Sequence, residues 1–361
     1  MTDLDQRIAS VLRERAEGEA DTHRLLRAAR ARGRRRQLRR RAATGTALAA
    51  VVALGVAGVT GTDLGRLPVR VPWTAATPAA AGPVPPRADG VPGAARQPDL
   101  VGTDARVLHL GVDTGRARYL RWGVQGVGSA GSVESVQVDV GGRSPVLVEV
   151  SRSSEAVEEL LLDGVPVEQG ATRVTFDGVV RQVPQGGGGL VRGWQPVPGL
   201  YARASTRGDD RSVLLTAVQA IRWDEARRCD GPLRLGVLPE GAQLVACSVD
   251  ATAFPGGFTV ELILHRKPLA HMQVRLLYGA QITRTTTEGN RVVAGRPAAL
   301  SPDGQLLELL GIPKAHLTAQ FGWQWPDAPP KGQVDFTEAD AASVLAGARV
   351  PTALADPQTW K

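Results

Sequence analysis

Twenty-one consecutive residues, Ala42 to Thr62, carry no ionisable side chain, and they follow directly on Arg39, Arg40 and Arg41. As a helix rising 1.5 Å per residue, such a run spans about 30 Å, the thickness of a bilayer's hydrocarbon core. Hydrocarbon offers no partner to backbone N–H and C=O groups, so the run is predicted to be a transmembrane helix over residues 42–61. Its bulky residues are few: Leu48, Val51, Val52, Leu54, Val56 and Val59. The flanking basic block, Arg34, Arg35, Arg36, Arg39, Arg40 and Arg41, resists translocation. That places the amino terminus in the cytoplasm and everything after Asp63 outside it. A cleaved signal peptide or a buried helix would share the pattern, but a leader of 41 residues is long for a signal. Gly45, Ala49, Ala53, Ala57 and Gly61 recur every four residues, which predicts weak self-association through a small-residue face.

The net charge of +7 is local. Residues 1–41 hold 13 Arg against 6 acidic residues, whereas the rest of the chain holds 30 Lys and Arg against 30 Asp and Glu. The basicity therefore reads as a topology signal and a contact with the lipid bilayer, not as a nucleic-acid site. Leu4, Ile8, Val11 and Leu12 fall at helical spacing, and a cytoplasmic protein partner is expected, if anywhere, at residues 1–30.

The chain after the span divides by composition. Residues 62–104 carry eight prolines and read as a disordered, extended linker. From 105 onward β-branched runs and alternating patterns predict strands, among them Tyr119–Val124, Val133–Val140, Phe258–His265 and Met272–Tyr278. A helix capped by Asp209 or Asp210 and a second opened by Thr337–Asp340 close the two stretches. Trp194-Gln195-Pro196 and Trp323-Gln324-Trp325-Pro326, with Ser212-Val213-Leu214 and Ser343-Val344-Leu345, suggest one unit used twice. The expected fold is α+β: a single transmembrane helix, a tether, and two tandem antiparallel-sheet units at 105–228 and 229–361, each closed by a helix.

Templates for catalysis are missing from the sequence. There is no Gly-x-Ser-x-Gly, Ser-x-x-Lys or His-Glu-x-x-His, and the Gly186–Gly189 run lacks the Lys and helix of a phosphate loop. His265 and His271 flank a proline turn and read as surface residues, and no cofactor is expected. Cys229 and Cys247 are candidates for a disulfide in an oxidising compartment, with two buried thiols as the alternative.

Leu12-Arg13-Glu14-Arg15-Ala16, then Leu25-Leu26-Arg27-Ala28-Ala29-Arg30-Ala31-Arg32-Gly33-Arg34-Arg35-Arg36, then the Ala/Val run, resembles the start of actinobacterial single-pass membrane proteins with an extracytoplasmic domain. Some of these are encoded beside extracytoplasmic-function sigma factors. The resemblance covers about the first 60 residues and implies membrane topology; the zinc anti-sigma pattern would need two Cys where residues 1–41 have none. The expected function is a membrane-anchored extracytoplasmic binding or sensing module without catalysis. The alternatives are an anti-sigma-like regulator acting through residues 1–30, or an envelope enzyme with an unrecognised site.

Overall fold

The computed structural model describes residues 82–159, 161–162, 165–166, 173–183, 188–266, 270–282, 288–321 and 336–360. The chain separates into two compact units, Met1–Ala76 and Thr77–Lys361, and every described residue belongs to the second.

Alternation of apolar and polar residues puts one side of each strand into a core and leaves the other free. In the carboxyl-terminal unit this pattern yields one antiparallel sheet of thirteen strands. Six strands form its first half: β1 (Arg118–Gly126), β2 (Ser132–Asp139), β3 (Val146–Ser151), β4 (Val180–Val183), β5 (Gly189–Trp194) and β6 (Tyr201–Thr206). Seven form its second half: β7 (Gln243–Asp250), β8 (Gly257–Arg266), β9 (Ala270–Gly279), β10 (Arg291–Val293), β11 (Arg296–Leu300), β12 (Leu306–Leu309) and β13 (Ala315–Gln320). The spatial order is β10-β11-β12-β13-β9-β8-β7-β1-β2-β3-β6-β5-β4. Each half winds the same way, with three sequential strands followed by a return that pairs its last strand with the third.

The near face of the sheet carries Val136, Val138, Val146, Val148, Leu262, Val274, Leu276 and Leu317, all buried. Two ten-residue helices cover it: α2 (Arg211–Ala220) lies on β3 and β6, and α3 (Glu338–Gly347) on β10, β12 and β13. Asp210 caps α2 by accepting from Ser212 N at 2.9 Å. Thr337 and Asp340 close a reciprocal capping box on α3. A four-residue helix, α1 (Glu155–Glu158), lies on the opposite, far face of the first half.

Two expectations are corrected here. The protein is not two tandem sheets, each closed by a helix. β7 pairs with β1 through Cys247↔Val124, Ser248↔Gly123, Val249↔Trp122 and Asp250↔Arg121, so the halves share one mostly β-structure. An edge strand left open on each half would expose a row of unpaired backbone groups; joining them satisfies that row and buries Trp122 and Val249 in one continuous core. Nor is there a transmembrane helix among the described residues: none of their helices is long and apolar enough to cross a membrane. A ten-residue helix covers only about 15 Å. The 42–61 run, with its small-residue face, lies outside the described residues.

Residues 62–81 of the expected disordered linker also lie outside them, but 82–104 pack against the body. Proline lacks a donor yet keeps its carbonyl. Pro86 O accepts from Arg228 N at 2.7 Å, Ala88 N donates to Ala226 O, and Ala94 N donates to His109 O at 2.8 Å. Ala94 and Val101 are buried. Within the thirteen-stranded sheet, β5 and β11 form where no strand was expected, and the strand expected at Thr172–Phe176 is absent from its described part, 173–176.

Candidate functional site

The connection between the halves, the segment before β1 and the carboxyl-terminal turn meet beside the sheet. Val107–Leu108 pairs with Arg227–Arg228, and Arg87 bridges to Arg227. Arg234–Leu235 pairs with Ala348–Arg349. Such short ladders leave most backbone groups to loops, and the gap between them is a cavity of about 1230 Å³. Its floor includes Trp360, which is fully buried, sets its ring against Phe254 and Phe258, and donates Nε1–H to Leu354 O at 3.2 Å.

Cys229 and Cys247 are joined by a disulfide, S–S 2.05 Å, which ties this rim to β7. Trp122 Nε1–H donates to Cys229 O at 3.1 Å from beneath. The rim is therefore held from two sides.

Five arginines face the cavity, Arg87, Arg106, Arg227, Arg228 and Arg234, against Asp89, Asp104 and Asp356. Arg228 is met by Asp230, with Nε–Oδ1 at 3.2 Å and Nη2–Oδ2 at 3.1 Å. Arg227 pairs with Glu225 and donates to Pro85 O. Asp104 accepts from Arg106 N, and Asp356 accepts from Gln358 N at the base of the final turn. The buried Nε of Arg234, like that of Arg227, finds no hydrogen-bond partner among the described residues. Burial holds the Arg234 guanidinium below the usual arginine range; Arg228 and Arg349 push the same way, and Asp230 opposes them. A cation in that position is short of negative charge.

A second polar cluster lies under the segment leading into β1. Glu134, wholly buried, accepts from Gly102 N at 2.8 Å and His109 N at 2.6 Å, and meets His109 Nδ1 at 2.7 Å. All three contacts fasten 102–109 to β2. This carboxylate is a clip.

No family model matches the chain, and neither a curated protein nor a solved structure does.

Arg34, Arg35, Arg36, Arg39, Arg40 and Arg41 lie outside the described residues, as do residues 1–30 and the Trp323–Pro326 motif. Asp210 is a helix cap, and Glu225 serves Arg227. His265 and His271 stack across the β8–β9 hairpin, ring centroids 4.8 Å apart. Among the described residues no group of three or more His, Cys, Asp or Glu is placed to hold a metal ion. The arginines of the cavity escaped the sequence reading because charge after residue 41 sums to zero. The local signal was Arg227-Arg228-Cys229, two cations fixed beside a bridged cysteine.

Proposed function

We propose that residues 82–360 form a non-catalytic binding module that takes an oxyanion-bearing ligand into the arginine cavity. The observation that carries this reading is Arg234, a half-buried guanidinium in a roomy cavity whose inner donor, like that of Arg227, lacks a partner among the described residues. A carboxylate or phosphate matches the planar fork of arginine and would supply the missing charge. Arg227 and Arg228 already spend part of their capacity on Glu225 and Asp230, so Arg234, which forms no such ion pair among the described residues, is the group to vary first. The buried disulfide supports work in an oxidising compartment outside the cytoplasm.

The test is thermal unfolding and calorimetry of the full chain with inorganic phosphate, citrate and erythritol at matched ionic strength. Phosphate or citrate should raise the unfolding temperature and erythritol should not, with the gain lost in Arg234→Met. Equal effects of all three compounds, or an unchanged gain in the variant, would sink the reading.

A further inference from the structure

The far face of the sheet changes character where the halves join. Over the first half it is roofed by residues between β3 and β4: Ala156 and Val157 pack on Val133, and Phe176 meets Tyr201 at 5.1 Å. Over the second half the far-face side chains are half-buried or exposed, among them Ser248, Thr259, Glu261, Gln273, Arg275 and Thr318. At the step between the two is a groove of about 470 Å³. Every residue lining it belongs to β1, β2, β3, β7, β8 or β9.

Its floor is a row of small residues crossing the strands. Ser135 pairs with Gly123, and Gly123 with Ser248. A Cβ at Gly123 would approach Cys247 O to 2.8 Å, so glycine keeps this floor low. The row continues through Glu261 and Arg275. Beside it runs a second row, Gln137, Arg121, Asp250 and Thr259. The groove thus lies across the strands, between rows of hydroxyl, amide and ionic side chains.

Its charge is balanced. Arg121 and Arg275 face Asp250 and Glu261, and Arg121 Nη2 lies 3.0 Å from Asp250 Oδ2. A balanced lining gives no net attraction to a polyanion or polycation. Neighbouring strands stand about 4.8 Å apart, so hydrogen-bonding groups recur along the groove at close to the length of one pyranose ring. An extended peptide repeats its same-side groups every two residues, about 6.6 Å, and falls out of step. Paired oxygens and nitrogens of Asp, Glu, Gln and Arg suit vicinal hydroxyls.

We propose that this groove binds a linear, uncharged oligosaccharide laid across β2, β1, β7, β8 and β9, roughly one sugar per strand. The site is separate from the arginine cavity and does not depend on it.

The experiment titrates the full chain with cellotetraose, chitotetraose and maltotetraose, read by calorimetry. Ser248, exposed on the floor, is changed to Tyr to fill the groove; Arg275→Ala trims its far end. At least one tetrasaccharide should bind, with affinity falling at least tenfold in Ser248→Tyr and less in Arg275→Ala. Arg234→Met should bind the sugar as the parent does. Thermal unfolding of each variant checks that it is folded. Failure of all three sugars to bind, or binding unchanged in a folded Ser248→Tyr, overturns the proposal.

Discussion

The two halves of the sheet share one winding order but treat their far faces in opposite ways. In the first half that face is sealed. Arg203 and Glu149, paired there, are 0% and 4% exposed, and Arg203 also donates to Val157 O at 3.2 Å and to Glu159 O. In the second half the corresponding surface carries Glu261 opposite Arg275 in partial or full contact with solvent. The difference follows from the loop after the third strand. Residues 152–179 are long enough to return over the sheet, whereas 280–290 are few. Opposite charges placed across neighbouring strands are therefore a structural element where a segment covers them and a solvated surface where none does, and dielectric decides which.

Truncating one partner of a buried pair leaves the other charge without solvent, at a cost of about 3–5 kcal/mol. Arg203→Met should lower stability by about that much, because it strands Glu149 and two carbonyls at the end of α1. Arg275→Met should cost under about 1 kcal/mol, because its side chain is exposed and Glu261 opposite it keeps its solvent. Urea midpoints of the two variants measure the contrast, and equal losses would erase the distinction between the faces.

The junction gives the next largest effect. The disulfide spans 18 residues and fixes the connection between the halves to β7. Replacing both cysteines with alanine should cost about 3 kcal/mol through the unfolded chain. It should also loosen Arg227 and Arg228, so phosphate binding at the cavity should weaken more than sugar binding at the groove. Parallel loss of both would mean that the halves do not respond separately.

The closing helices extend the comparison. α3 begins with a reciprocal box in which Thr337 Oγ1 accepts from Asp340 N and an Asp340 carboxylate oxygen from Thr337 N. α2 begins with a one-sided cap on Asp210, whose carboxyl is held below the usual range by Ser212, with Arg143 adding to the effect. Thr337→Ala should cost about 1 kcal/mol. Asp210→Ala should cost about as much, since its carboxylate accepts from both Ser212 N and Val213 N, and chemical denaturation of the pair compares them.

These contrasts also explain what was legible in the sequence. Near-face alternation was readable in Val136–Val138 and Met272–Tyr278 because burial repeats every second residue. Both caps were readable because Asp210 and Thr337–Asp340 act within one turn. The roof was not, since Arg203 and Glu149 occupy positions that read as solvent-facing until another segment covers them. The union of the halves was not either: strand pairing uses backbone groups, and Cys247↔Val124 leaves no mark on residue type. The cavity gathers arginines from 87, 106, 227, 228 and 234, a spacing no periodic pattern connects. Residues 82–104 read as linker because their proline content is high, while the acceptor capacity of the Pro86 carbonyl leaves no mark on composition.

The smallest expected effect sits at the open end of the second half, where His265 and His271 stack on the far face. Burial, then the neighbouring His265, holds His271 below the usual histidine range. Above about pH 6.5 the ring is neutral in folded and unfolded chains alike, so it contributes nothing to pH dependence. Below that, the unfolded chain binds a proton that the folded chain resists, and stability falls until the folded ring also titrates. Partial exposure screens the pair and keeps the loss small. His265→Gln removes the like charge and should flatten the fall in urea midpoint between pH 7.5 and pH 5. An unchanged slope would show that the stacked pair has no part in the acid sensitivity.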